Sequence, residues 1–242
     1  MATPPLPSCR KCNGVGFVAY RLGLGQFDYR QCDCREDPLA EDRRRRLYAD
    51  LPNPGSPKTF SNFIESDKNR EALEASLAFA HRRTLAHVLN LYGPHGGGKS
   101  HLLEAIGREM LAQKRWVKYA FAPDLLDALR SSYSPESEDR FAVVYERYSL
   151  PDVLLLDDLG AEKSSEWAVE KLTRLVDERY RAGKLMVVAA NLSEEAMADK
   201  LAPRIADRLF DRRTGAVKVV CLDDDSHRTG RRWKMSWPVR RG

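Results

Sequence analysis

Two hydrophobic patterns alternate along most of this chain. From Thr59 onward, continuous apolar runs such as Val153 to Leu156 and Leu185 to Ala190 are separated by segments whose apolar residues recur at helical spacing. A continuous apolar run is typical of a strand that is buried on both faces of a parallel sheet. The pattern therefore predicts an α/β fold with a central, mostly parallel sheet flanked by helices.

The individual elements can be placed from the same pattern. Strands are predicted at 88–92, 116–121, 153–156, 185–190 and 217–222. Helices are predicted near 68–82, at 99–112, from Pro123, near 139–148, after the capping residues Ser164 and Ser165, and at 193–201 and 203–210.

Composition changes divide the chain into four parts. Residues 1–35 are rich in cysteine, and residues 36–58 read as a linker that contains a charged helical piece followed by a Pro/Gly/Ser cluster. Residues 59–228 form the predicted α/β domain, and residues 229–242 form a basic C-terminal tail. We expect two folded units, the smaller of them at the N-terminus.

A glycine-rich segment between a predicted strand and helix carries the clearest chemical signal. It matches the GxxxxGK[ST] phosphate loop with Gly93, Pro94, His95, Gly96, Gly97, Gly98, Lys99 and Ser100, and His101 follows. Glycines let successive backbone amides point at phosphate oxygens, and the next helix directs its positive end at the same anion. We expect Lys99 to reach the β and γ phosphates of ATP, and the Ser100 hydroxyl to bind Mg²⁺.

Polar residues follow two other predicted strands. Asp157 and Asp158 come after the run Val153 to Leu156, and Asn191 follows the run Leu185 to Ala190. Carboxyl ends of parallel strands meet at one sheet edge, where ligands of open α/β sheets bind. Asp157 is therefore a candidate for the Mg²⁺ shell, Asp158 for orienting or deprotonating the attacking water, and Asn191 for bonding the γ-phosphate or that water.

These motifs, in this order, resemble those of AAA+ ATPases, in particular the DnaC/DnaI-like replicative helicase loaders and their DnaA-type and IstB-type relatives. The resemblance runs from about Thr59 to Arg228, and its pieces are Lys58 to Phe63, Gly93 to Leu103, Phe121 to Leu126, Leu155 to Glu162, Asn191 to Ser193, Arg204 to Leu209 and Asp225 to Arg228. It implies a P-loop AAA+ domain.

The resemblance also implies roles for three arginines. Arg208 corresponds to the arginine finger that reaches the ATP of a neighbouring subunit, with Arg204 as the second candidate, and Arg228 corresponds to the sensor-2 arginine that touches the γ-phosphate in cis. A planar, permanently charged fork suits this work. Many AAA+ members carry Glu where this chain has Asp158, so we expect slow hydrolysis, stimulated by a partner or DNA.

The N-terminal cysteines predict a structural metal site. Cys9, Cys12, Cys32 and Cys34 offer the four thiolates that zinc favours, and the two predicted strands between the pairs would return the second pair to the first. A redox pair is the alternative. Cys221 lies in an apolar strand and reads as core. In DnaI-like loaders the corresponding zinc unit engages the replicative helicase.

Charge and hydropathy add limits. The chain has 40 Lys+Arg against 35 Asp+Glu, a formal charge of +5, which permits a nucleic-acid partner without requiring one. No apolar run reaches the roughly 18 residues of a membrane span, and no secretory signal is evident, so we expect a cytoplasmic protein without membrane partners. Arg43 to Arg46 and the Trp-containing basic tail could contact DNA, although for each segment taken singly a solvated surface is the better explanation.

The expected function is that of an ATP-dependent helicase loader. Its expected cofactors are ATP, Mg²⁺ and Zn²⁺. Its expected partners are a hexameric replicative helicase, single-stranded DNA, and further copies of itself or an initiator ATPase. Two alternatives stay open at this point: an IstB-like transposition helper, and an ATP-gated binding adaptor with little catalysis.

Overall fold

A computed structural model describes residues 17–23, 26–31, 45–53, 55–132, 141–161 and 165–222, with side chains from residue 45 onward. Near the N-terminus, strands β1 (Phe17–Gly23) and β2 (Gln26–Gln31) pair antiparallel, so the hairpin predicted between the cysteine pairs is present. The four cysteines proposed as zinc ligands lie outside the described residues.

A five-stranded sheet forms the centre of the α/β domain. Its strands lie in the order β4-β5-β6-β3-β7, and every neighbouring pair is parallel. Their bounds are β3 Val88–Tyr92, β4 Val117–Phe121, β5 Val153–Leu159, β6 Leu185–Ala190 and β7 Val217–Cys221. This arrangement confirms the predicted α/β class and its parallel sheet.

Seven α-helices accompany these strands in the described residues from 70 onward. They are α1 Arg70–Ala80, α2 Lys99–Ala112, α3 Ala122–Ser131, α4 Phe141–Ser149, α5 Glu166–Arg181, α6 Glu194–Lys200 and α7 Pro203–Leu209. Ser165 caps α5 by accepting a bond from the backbone N–H of Ala168, and Ser193 caps α6 in the same way from Ala196. None of the helices in the described residues is long and apolar enough to span a membrane.

The sheet divides the core into two layers because successive strand residues point to opposite faces. On β5, Val153 and Leu155 pack in the layer covered by α1 and α2, whereas Leu154 and Leu156 pack in the layer covered by α3 to α7. All four side chains are fully buried. This explains why the strand reads as one unbroken apolar run.

The described part of the predicted linker packs against the α/β domain. Residues 45–49 are helical, and Ala49 is fully buried in the α1 and α2 layer. The Lys118 ammonium on β4 lies over the Tyr48 ring and pairs with Asp50. Residues 52–53 and 55–63, which we call the lead-in segment, continue along α2 to the site described next.

Candidate functional site

The phosphate loop connects β3 to α2, as predicted. Lys99 occupies the first turn of α2, and its buried ammonium donates to the backbone carbonyls of Gly93 at 2.9 Å and Pro94 at 2.6 Å. The Lys99 side chain thus lies across the phosphate loop and contacts its backbone. A buried ammonium that is bonded to carbonyl oxygens of the loop is well placed to attract an anion.

The turn into α2 requires glycine. Gly98 is the N-cap of α2 and has φ of +95°, a left-handed conformation that side chains rarely adopt. A Cβ atom there would lie 2.8 Å from the Phe63 ring. The glycine therefore lets the lead-in segment approach the loop closely.

The β5 carboxylate Asp157 lies beside the start of α2. Its Oδ1 accepts hydrogen bonds from the Ser100 hydroxyl at 2.9 Å and the Asp158 backbone N–H at 3.0 Å, and its Oδ2 accepts one from the Tyr119 hydroxyl at 2.9 Å. Burial raises the pKa of Asp157, and these hydrogen bonds oppose that rise. A hydroxyl and a carboxylate in contact are the oxygen ligands that Mg²⁺ takes beside nucleotide phosphates, so the pair fits this ion.

The second carboxylate faces the neighbouring strand. Asp158 has φ of +55°, and the pairing of β5 with β6 shifts register between Leu156 and Leu159. Its Oδ1 accepts a 2.6 Å hydrogen bond from the Asn191 amide, at the end of β6. The two adjacent aspartates therefore have different partners at this irregularity. Asp157 contacts α2 and β4, whereas Asp158 contacts Asn191.

The lead-in segment forms one wall of the site and is fastened to α2. The fully buried carboxylate of Glu104 accepts bonds from the Asn53 amide, the Lys58 backbone N–H and the Arg108 guanidinium. His101 contacts the segment at the Thr59 carbonyl oxygen and packs edge-on against the Phe63 ring. The helix that carries the phosphate loop therefore also positions this wall.

Together these elements enclose a cavity of about 540 Å³, large enough for a nucleotide. Nine of the predicted site residues line it: His95, Gly96, Gly98, Lys99, Ser100, His101, Asp157, Asp158 and Asn191. Gly93, Pro94 and Gly97 belong to the same loop behind this lining. The lead-in segment contributes Pro52, Asn53, Lys58, Asn62 and Phe63, and Ile64 follows it.

The predicted arginines lie elsewhere. Arg204 and Arg208 are on α7 and bond to Asp177 on α5, and neither lines the cavity. Arg228 and the four N-terminal cysteines are outside the described residues. In the described part of the chain, no group of three or more His, Cys, Asp or Glu side chains could hold a metal ion.

Sequence reasoning missed Tyr119 and Glu104, which organise the cavity, and Asp177, which bonds the two predicted arginines. Tyr119 lies in the strand beside β5, where its hydroxyl reaches Asp157, and only the order of the strands reveals this proximity. Glu104 offered a signal, because a carboxylate on the apolar face of a helix needs a buried partner. Asp177 pairs with arginines of α7 because α5 and α7 pack together, and no short-range pattern in the sequence indicates this contact.

A phosphate loop between β3 and α2, acidic residues ending β5 and a polar residue ending the intervening strand β6 define a P-loop ATPase of the AAA+ class. The family model for IstB-like ATP binding proteins matches residues 57–235, most of the chain, and the chain belongs to this family. The predicted resemblance to AAA+ ATPases of this group is thereby confirmed, and the chain carries an ATP-binding domain of this type.

Individual relatives agree with this assignment. The chromosomal replication initiator protein DnaA of Thermomicrobium roseum is 30% identical over 166 residues, which cover 66% of this chain and 33% of that protein. AMPPCP-bound DnaA from Aquifex aeolicus has a TM-score of 0.62 and 26% identity, covering 74% of this chain and 54% of that one. A DnaC helicase loader has a TM-score of 0.59 at 20% identity, covering 68% of this chain and 96% of that one, and shares the fold. The chain thus spans about a third of the length of the DnaA relative.

Proposed function

We propose that this chain is an ATP-dependent loader that places a ring-shaped replicative helicase on single-stranded DNA. In this proposal residues 59–228 are the ATPase domain and residues 1–35 are a zinc module that engages the helicase. Residues 36–58 connect the two, and residues 229–242 are a basic tail. The four N-terminal cysteines support this proposal, because DnaI-like loaders carry an N-terminal zinc unit, and a DnaC helicase loader shares the fold of the ATPase domain.

The observation that carries the catalytic part is the pairing of Ser100 with Asp157 and of Asp158 with Asn191 at the edge of one cavity. ATP supplies the reactive phosphoanhydride when bound, and Mg²⁺ neutralises its phosphate charge. The amides of residues 93–100 and the Lys99 ammonium bind the phosphates, and Ser100 and Asp157 hold the metal.

Hydrolysis further requires a positioned water. Asp158 would orient it and accept its proton, while the Asn191 amide holds the Asp158 carboxylate in place and bonds the γ-phosphate or the water. Arg208 of a second subunit would stabilise charge on the γ-phosphate, and Arg228 would do so in cis. A complete site then needs two subunits.

We expect Lys99→Ala to abolish high-affinity ATP binding, because it removes the ammonium that meets the phosphates. Isothermal titration calorimetry with Mg²⁺ and ATP measures this loss. Lys218→Ala is a matched control, because Lys218 pairs with Glu71 on the surface away from the cavity. Retained tight binding by Lys99→Ala would contradict the phosphate-loop assignment.

Replacing Asp158 with Asn should leave ATP binding intact and lower phosphate release about 10²-fold, the scale of lost general-base catalysis. Full turnover in this variant would remove Asp158 from the mechanism. Phosphate release that stays at background in the wild type with DNA and partner present would favour an ATP-gated adaptor instead.

The second candidate is an IstB-like transposition helper, which the description of the matched family favours. Affinity purification of the full chain with ATP, followed by mass identification of bound proteins, separates the two. Recovery of a hexameric helicase supports the loader, and recovery of a transposase supports the helper. Loss of the helicase when Cys9 and Cys12 are replaced would assign its binding to the N-terminal module.

A further inference from the structure

One carboxylate on α5, away from the cavity lining, contacts three arginines. The largely buried Asp177 side chain accepts from Arg204 Nη2 at 2.8 Å and from Arg208 Nε at 3.1 Å, and pairs with Arg181 Nε at 3.0 Å. Burial raises the pKa of Asp177, but bonds from these arginines outweigh it, so the pKa lies below its usual range. Three guanidinium groups outnumber the one carboxylate, and the cluster stays positive.

Arg208 is held differently from Arg204. Its guanidinium carbon lies 4.8 Å from the centre of the Tyr180 ring, which is the geometry of a cation–π contact. The Tyr180 hydroxyl donates to Asp211 Oδ2 at 2.9 Å, so the ring itself is fixed. Within the described residues Arg204 has no such ring contact, and its side chain is 51% exposed against 29% for Arg208.

The way in which Arg208 bonds to Asp177 leaves its phosphate-binding end available. The bond uses Nε, and the two terminal nitrogens make no hydrogen bond to the part of the chain that the structure describes. Those two nitrogens form the side of the fork that can bind two phosphate oxygens at once. Arg204 instead uses one of its terminal nitrogens for Asp177.

Arg208 does not serve the cavity of its own chain, because it is absent from the cavity lining. We infer that Asp177 and the Tyr180 ring form a seat that presents the terminal nitrogens of Arg208 to the triphosphate bound by a second copy of this chain. Asp177 is then a positioning residue, and Arg208 rather than Arg204 is the group presented. This inference rests on the proposed function, in which ATP is hydrolysed between subunits.

Holding the fork in place matters because a freely rotating arginine would lose side-chain entropy each time it met a phosphate. Immobilising a side chain of this length on binding has an entropic cost. A seat that fixes Nε and the guanidinium plane removes part of this cost before the subunits meet.

Mixing experiments with full-length variants test the seat. The acceptor chain is Arg208→Ala, whose own cavity is intact but whose arginine is missing. The donor chain is Asp158→Asn, whose cavity is impaired but whose Arg208 is intact. Steady-state phosphate release with Mg²⁺ and ATP should be low for each chain alone and restored in the mixture.

The decisive donor is the double variant Asp158→Asn with Asp177→Asn. We expect the mixture with this double variant to release phosphate at least about tenfold more slowly than the mixture with the single Asp158→Asn donor. This loss is a fraction of the 10³- to 10⁵-fold acceleration that an arginine finger supplies. The matched control is the donor Asp158→Asn with Arg181→Gln, which removes an exposed partner of Asp177 but keeps the Arg208 bond, and should restore fully.

Placing Asp177→Asn in the donor or in the acceptor chain distinguishes a positioning role from a general structural role. Asp177→Asn in the acceptor should alter the mixed rate less than about twofold, whereas a general structural defect would lower it from either chain. If Asp177→Asn fails to fold by thermal melting, the donor Tyr180→Leu, which removes the ring under Arg208, replaces it and should also restore poorly.

Full restoration by a folded Asp177→Asn donor would overturn the inference. So would a mixture in which the Asp158→Asn donor restores nothing, because Arg208 then has no second copy to serve. Absence of ATP binding to the wild type in calorimetry would be a failure of the proposed function itself, and is read independently of the mixing rates.

Discussion

At the scale of single residues, the chemistry of the cavity depends on how one buried carboxylate is held. Both oxygens of Asp157 accept hydrogen bonds, one from Ser100 on the phosphate-loop helix and one from Tyr119 on the neighbouring strand. Each bond favours the ionised carboxylate, which is the form that binds a divalent cation. Tyr119 is thus connected through Asp157 to the proposed Mg²⁺ site.

Replacing Tyr119 with Phe should raise the Mg²⁺ concentration that half-saturates ATP hydrolysis about fivefold, the equivalent of one hydrogen bond of about 1 kcal/mol. Without that bond the pKa of Asp157 rises further, so at limiting Mg²⁺ the acidic limb of the pH–rate profile moves to higher pH. Tyr145→Phe is the control, because its hydroxyl bonds Glu178 on another helix. An unchanged Mg²⁺ dependence would exclude this role for Tyr119.

At the scale of elements, α2 joins the phosphate loop to the core through a close contact with the sheet. Gly107 lies in the middle of α2, and a Cβ atom there would come within 2.4 Å of a Leu155 methyl group and 3.0 Å of a Leu51 methyl group. The glycine therefore sets the distance between helix and strand. The same helix holds the lead-in segment through Glu104.

Gly107→Ala should lower the free energy of unfolding by about 1–3 kcal/mol, because overpacking against Leu155 exceeds the gain of about 1 kcal/mol in helix propensity. Chemical denaturation measures the change. Gly55→Ala is the matched control, since a Cβ atom at Gly55 would meet nothing within 4 Å. A Gly107→Ala variant as stable as the wild type would mean that the helix can shift from the sheet at little cost.

At the scale of the whole molecule, the lead-in segment lies in the chain between the N-terminal hairpin and the alternating strands and helices. The segment lines the cavity and is bonded to α2, so the ATPase site has a wall that comes from outside the alternating strands and helices. The proposed zinc module lies before that wall in the chain. Its folding is proposed to depend on metal, because a unit of about 35 residues forms little core.

Replacing Cys9 and Cys12 with Ser should lower bound zinc from one atom per chain to none, measured by elemental analysis, while ATP affinity changes less than about threefold. The residues that line the cavity lie between 52 and 191, so we expect the nucleotide site to survive the loss of the module. Cys221→Ser is the control and should keep its zinc, because Cys221 lies on β7. Full zinc content without Cys9 and Cys12 would contradict the assigned ligands.

Many elements and much of the site could be predicted from local pattern. The apolar runs predicted β3 and β6 to the residue, and the glycine spacing predicted the phosphate loop. The prediction ended β5 at Leu156, but the strand continues to Leu159, because Asp157 and Asp158 form part of it despite their charge. Three hydrogen bonds offset the free-energy cost of burying Asp157, and a local sequence pattern does not predict them.

The amino-acid sequence by itself determined the class of fold, the phosphate loop and the residues at the ends of β5 and β6, because each depends on spacing within a few residues. Tertiary structure alone decided that Tyr119 meets Asp157, that Glu104 fastens the lead-in segment and that Asp177 holds Arg208. These contacts join residues that are 31 to 46 positions apart. Strand order and helix packing bring them together, and both are set by burial of the whole core rather than by any local signal.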